Sequence, residues 1–223
     1  VKSLINTRIL FFFIVIISLC VYLPYLNLQQ KVDIKSESIL FDINQGDSFG
    51  KILSNLKNEN IISNTNWMYL YIRLFNKSNQ FKAGEYLILK EDSHLDVIDQ
   101  FISGKVHLHP FTIIEGWTLK DLSDAMLNSS FIIDDNKSQD HIKFTDKFHL
   151  DSSEITAEGL FLPETYFVAK GTTPEILYDI SHKMLMEELN NQWENRAPNL
   201  PLKSPYEALI LASIIEKETA VDD

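Results

Sequence analysis

The chain has one cysteine, no alanine before Ala83, no charge between Ile9 and Gln30, and no excess of positive charge. Each shortage excludes something. A lone Cys20 allows no intrachain disulfide and no thiolate metal site, so an exported domain must be held by its core alone. The net charge of −11 argues against a nucleic-acid binder, which would present a basic surface. The charges are spread along the sequence rather than blocked into an acidic tail, which reads as ordinary solvated surface. The missing alanines argue against a cleaved signal peptide, whose cleavage site wants small residues. Bulky Leu19 before Cys20 makes a poor lipoprotein site.

The uncharged stretch itself reads "ILFFFIVIISLCVYLPYL". A bilayer core needs roughly 20 mostly apolar residues as a helix. Lys2 and Arg8 precede the run and should hold residues 1–8 in the cytoplasm. The expectation is a single-pass transmembrane helix over 9–28, a linker over 29–37, and the bulk of the chain exported. With 223 residues and 45% apolar content, the remainder can form one large or two small folded domains.

"SILFDI" (38–43) alternates as a strand, Gly46 and Asp47 turn, and Ser48 caps a helix carrying Ile52, Leu53 and Leu56. A second helix is expected through Trp67, Leu70, Tyr71 and Leu74. "AGEYLIL" (83–89) reads as a strand, and 94–104 as a helix closed by Gly104. At an offset of 70 the pattern returns: Phe41, Ile43, Gly46, Ser48, Ile52 and Leu56 match Phe111, Ile113, Gly116, Thr118, Leu122 and Met126. Each copy predicts a strand, a glycine turn, a hydroxyl cap and an amphipathic helix. Residues 128–156 are polar and weakly patterned. Pro163 interrupts an aromatic, strand-like segment, and 174–196 predicts a helix with Ile176, Ile180, Met184 and Leu189 on its apolar face. The overall class is α+β.

The last helix should start at Ser204, where Ser204-Pro205-Tyr206-Glu207 forms a capping box with proline at the first helical position. It should run to about Thr219. With Ala208 at zero and about 100° per residue, Glu218 falls near 280°, between Ile214 near 240° and Leu211 near 300°. Glu216 falls near 80°, roughly opposite, toward Ser213 and Lys217. A carboxyl group among apolar neighbours is harder to ionise, which suits a general acid near neutral pH. This geometry favours Glu218 over Glu216 as a catalytic acid; a pair of glutamates closing a helix in salt bridges is the structural alternative. The six histidines form no ligand pair on one helix face, and no metal or cofactor is expected. "HLH" (107–109) reads as a strand. Trp67 and Trp117 offer faces for sugar stacking, with core packing as the default for both.

In order along the chain stand an apolar anchor, "FKAGEYLI", "TIIEGWTLKDL", "EGLFLPETYF" and "LASIIEKETA". This set resembles the MltG/YceG-like endolytic murein transglycosylases of bacteria. The resemblance implies a LysM-like α/β region over 38–126 and the N-terminal part of a mixed α/β catalytic domain over 127–223. It implies a lyase, active in cell wall biogenesis, that cleaves peptidoglycan glycan strands between MurNAc and GlcNAc. The products end in 1,6-anhydro-MurNAc. It places the catalytic glutamate at the second glutamate of "EKET", here Glu218. Glu216, Glu158, Thr165 and Tyr166 become candidate supporting or substrate-binding residues. Implied partners are glycan strands, peptidoglycan synthases, and the bacterial inner membrane through the N-terminal helix, with the bulk periplasmic; nucleic acid is not among them. Because the family's catalytic domain continues past this motif, the chain reads as C-terminally truncated and is expected to be inactive alone. The competing expectation is a membrane-tethered, non-catalytic peptidoglycan-binding or scaffold protein.

Overall fold

The computed structural model describes residues 2–133 and 157–219, and within the first helix the side chains of residues 11–13, 15, 16, 18, 19 and 22–28. Most of the polar stretch expected at 128–156 thus lies outside the described residues. The elements in chain order are α1 (Lys2–Leu28), β1 (Ser38–Ile43), α2 (Phe49–Asn58), α3 (Asn66–Leu74), β2 (Gly84–Leu89), α4 (His94–Ser103), β3 (Leu108–Thr112), α5 (Leu119–Leu127), β4 (Thr165–Ala169), α6 (Pro174–Glu194) and α7 (Pro205–Thr219). The α+β class is as expected. The chain divides into two compact units, Val1–His107 and Leu108–Asp223.

In the first unit β1 pairs antiparallel with β2, with Phe41 opposite Tyr86. A two-stranded sheet is marginal in water and needs helices to cover it. Here Ile52, Leu53 and Leu56 of α2, Met68 and Ile72 of α3, and Val97, Ile98 and Phe101 of α4 close over Phe41, Tyr86 and Ile88. Phe101 stacks on Phe41 at 5.7 Å between ring centroids and meets Tyr86 edge-on at 4.8 Å. α4 is held at both ends: Ser93 and Asp96 form a capping box, and Gly104 takes the left-handed C-cap conformation.

Three expectations for this unit change. Among the described residues no helix is long and apolar enough to cross a membrane. The span expected over 9–28 falls within α1, but many side chains of its first half lie outside the described set, and its last turns belong to the unit: Pro24 and Leu28 are buried. Residues 29–37 are not a free connector either. Val32 and Ile34 are buried, Val32 N–H donates to the Asp92 carbonyl, and Asp33 N–H donates to the Ile61 carbonyl. On α3 the buried stripe is Met68 and Ile72, whereas Leu70 and Leu74 face outward.

The second unit follows the same plan. β3 pairs antiparallel with β4, with Phe111 opposite Tyr166. Gly46 and Gly116 occupy the same turn with φ of 86° and 78°, where a side chain would be strained. Ser48 and Thr118 cap α2 and α5 by accepting from the backbone N–H three residues on. The likeness continues past the turn, at an offset of 80. His94, Val97, Ile98 and Phe101 are the buried positions of α4, and Pro174, Leu177, Tyr178 and Ser181 are buried on α6. Tyr86 donates its hydroxyl proton to the Lys82 carbonyl at 2.8 Å, and Tyr166 does so to the Leu162 carbonyl at 2.7 Å. The α6 face differs from expectation: Leu177, Tyr178, Ser181 and Leu185 are buried, while Ile176, Ile180 and Met184 are exposed.

Candidate functional site

The second unit carries a cleft of about 450 Å³, within the range of ligand-binding pockets. Its floor is the turn between β3 and α5, residues 113–119. One wall is Glu158, Gly159, Phe161 and Pro163, with Leu185 of α6 beside them. The other wall is one face of α7: Leu209, Ala212, Ser213, Glu216 and Lys217. The spacing 209, 212, 213, 216 is one helical face, so the sequence of α7 alone dictates that these residues share a surface.

Local structure fixes the polar groups. Glu158 Oε2 accepts the Leu119 N–H at 2.8 Å, in the first turn of α5, where a carboxylate also meets the positive end of the helix dipole. Thr118 and Asp121 form the capping box of that helix, and the two hydrogen bonds from Thr118 hold the Asp121 carboxyl below its ordinary range. Gly116 leaves room above the turn: a Cβ there would stand 3.5 Å from Glu216 Oε1. Trp117 lies half-buried, packed on the core cluster of the unit while also lining the cleft. The cleft thus combines an indole with the carboxylates Glu115, Glu158 and Glu216 and the ammonium of Lys217. Such a set can stack on one face of a sugar and hydrogen-bond its hydroxyls. Among the described residues no three His, Cys, Asp or Glu cluster so as to hold a metal ion.

The structure separates the residues singled out in the sequence. Glu158 and Glu216 meet at the cleft. Thr165 lies on β4 opposite Thr112, their hydroxyl oxygens 2.9 Å apart. Tyr166 is a core residue, 5% exposed, with its hydroxyl committed to Leu162. Burial, with Glu164 nearby, pushes its pKa up to about 12. Glu218 is exposed and outside the cleft lining; it shares a face of α7 with Leu211, Ile214 and Ile215, all exposed. The helical wheel put Glu218 among those apolar neighbours, and it lies there. Those neighbours do not bury it in the described structure, because no residue of α7 is buried. Glu115 also lines the cleft, and its signal in the sequence is its place beside the repeated glycine turn.

Residues 41–223 match the YceG-like family. No curated protein matches the chain. Among solved structures, the 2.6 Å crystal structure of the yceG-like protein lmo1499 from Listeria monocytogenes is similar at 19% identity and a TM-score of 0.36. The similarity covers 72% of this chain and 57% of that one, so the chain spans little more than half the length of that structure.

Proposed function

Because the chain belongs to the YceG-like family, we propose that it acts on peptidoglycan glycan strands as a lytic murein transglycosylase, or as the N-terminal portion of one. The observation that carries this reading is the family match over 41–223, which contains the carboxylate-lined cleft. In the proposed reaction a protonated glutamate donates to the glycosidic oxygen as the bond from MurNAc C1 breaks through an oxocarbenium-like state. The resulting carboxylate takes the proton of the MurNAc C6 hydroxyl, whose oxygen closes on C1. No water is consumed, so one carboxyl group serves as acid and then base.

The family resemblance assigns that role to Glu218. In support, Glu218 shares its face of α7 with the apolar residues Leu211, Ile214 and Ile215. A second reading gives the role to Glu216, because Glu216 lines the cleft. Glu158 then serves as a positioning residue through α5, and Trp117 as a sugar platform. Glu218→Gln and Glu216→Gln decide between them in an assay of uncrosslinked glycan strands, with anhydro-ended products followed by mass spectrometry. Loss of a general acid costs typically ~10²–10⁴ in rate. A dead Glu218→Gln beside an active Glu216→Gln supports the first reading, and the reverse supports the second. Two fully active variants would remove both glutamates from the chemistry. If the wild-type chain binds glycan without cleaving it, the binding or scaffold reading takes over.

The same proposal places the protein at the bacterial inner membrane through α1, with peptidoglycan synthases as partners and residues 38–126 as a LysM-like region. The anchor is supported by the uncharged run that starts at Ile9 and continues to the end of α1 at Leu28, 20 residues or about 30 Å at 1.5 Å per residue. A reporter fused after residue 40 that is active only in the cytoplasm would overturn it.

A further inference from the structure

The first unit has an exposed apolar face that neither its core nor the glycan reading uses. Leu70 and Leu74 of α3 and its C-cap residue Phe75 are exposed, with Phe75 52% and Leu74 57% accessible. This face adjoins the end of α1: Tyr71, Leu74 and Phe75 line one hollow of about 350 Å³ with Ser18, Tyr22, Pro24 and Tyr25. Tyr71 and Phe75 lie 4.8 Å apart between centroids. Cations rim the patch. Arg73 sits over the rings of Phe49 and Tyr69, and the Lys77 ammonium stands 4.9 Å from the Tyr71 ring centroid and donates to its hydroxyl at 3.0 Å.

The geometry of α1 says what covers this face. If α1 is the proposed anchor, its lipid-facing side narrows from Pro24 on, where Pro24 and Leu28 are buried in the unit and only Tyr25 and Leu26 stay exposed. The stretch before that point, Ile9 to Leu23, is roughly 15 residues, about 22 Å of helix, against a hydrocarbon core of about 30 Å. A short span is met by thinning of the bilayer or by other apolar surface entering it. Leu74 and Phe75 stand beside Ser18 and Tyr22, within the stretch of α1 that the span itself requires. Tyrosines 22, 25, 69 and 71 suit the headgroup level, and Arg73 can extend to lipid phosphates while its stem stays apolar; Lys77, 3.8 Å from the Asp99 carboxylate, is already paired. The chain's net charge of −11 would otherwise oppose an anionic surface, so cations at this spot matter.

We infer that the α3 face is a membrane seat, its apolar residues entering the outer half of the phospholipid bilayer beside α1. The first unit is then held on the lipid surface rather than suspended from it. This rests on the anchor reading above, and the test separates the two. Single cysteines are placed at Val15, Leu74 and Lys57 in the full chain carrying Cys20→Ser. Each is spin-labelled, reconstituted in phosphatidylethanolamine–phosphatidylglycerol vesicles, and probed by collision with oxygen and with a water-soluble nickel chelate. The expected result is oxygen-dominated collision at 15 and 74, with 74 shallower, and nickel-dominated collision at 57. A label at 15 in lipid with 74 in water overturns the seat and leaves the anchor standing. A label at 15 in water overturns the anchor and the seat with it.

Discussion

Acidification should weaken the first unit through His94. The ring is 6% exposed, and among the described residues neither nitrogen makes a well-formed hydrogen bond, the Lys31 backbone offering only a weak one. Burial lowers its pKa below the ordinary value of 6.5; Asp33 nearby and the Lys31 backbone oppose that fall. The unfolded chain binds a proton at this site near pH 6.5, whereas the folded chain resists it, so stability is lost as pH falls below 6.5 toward the folded pKa. Were the ring to stay neutral when folded, the loss at pH 5 would reach about 2 kcal/mol. That limit corresponds to roughly 8–16 °C in Tm for a unit of about 100 residues. The Asp33 carboxylate trims it. Its own pKa is lowered by hydrogen bonds from the Ser63 hydroxyl and N–H, so it stays charged through this range. Aspartates with lowered pKa lose their stabilising effect only below about 3.8, outside the pH 5–7 window. The assay is thermal unfolding of the full chain in detergent at pH 7.5 and pH 5.0, for the wild type and His94→Leu. The other five histidines are common to both chains, so the difference isolates His94. The wild type should lose several degrees more than the variant on acidification, and at pH 7.5 the variant should be close to neutral. Equal acid shifts in the two chains would refute the argument.

Two further outcomes follow from the second unit. Gly116→Ala forces a side chain into a left-handed backbone beside the Glu216 carboxylate; it should cost about 1–2 kcal/mol in urea unfolding and lower any glycan cleavage that depends on Glu216. Tyr166→Phe removes the hydrogen bond to the Leu162 carbonyl and should cost about 1 kcal/mol by the same measurement, with glycan affinity unchanged because the residue lies in the core.

Capping and turn chemistry was legible because it is local. Ser48, Thr118, Gly104 and the offset of 70 needed only neighbouring residues. The second half of the likeness, at an offset of 80, is hidden from one fixed offset, because Tyr166 follows Phe111 by 55 residues where Tyr86 follows Phe41 by 45. Helix faces were legible as groupings but not as directions. Ile176, Ile180 and Met184 form a stripe as apolar as Leu177, Tyr178 and Leu185, and only tertiary packing selects the second. The same gap affects the glutamates: the wheel sorted Glu216 and Glu218 onto opposite sides of α7, but which side meets the cleft depends on how α7 seats against the β3–α5 turn.

The doubled Phe–Tyr strand pair has a consequence for biogenesis. Two neighbouring modules with nearly interchangeable strand partners are open to exchange, since Phe41 could meet Tyr166 as readily as Tyr86 on side-chain grounds. Order of synthesis works against that error. β2 is complete by Leu89 and the first hydrophobic cluster by Val106, before any of β3 or β4 has been made. A chain emerging from its N-terminus therefore offers β1 its proper partner first. A denatured full-length chain presents both partners at once, so dilution from urea should give slower and less complete recovery than vectorial emergence.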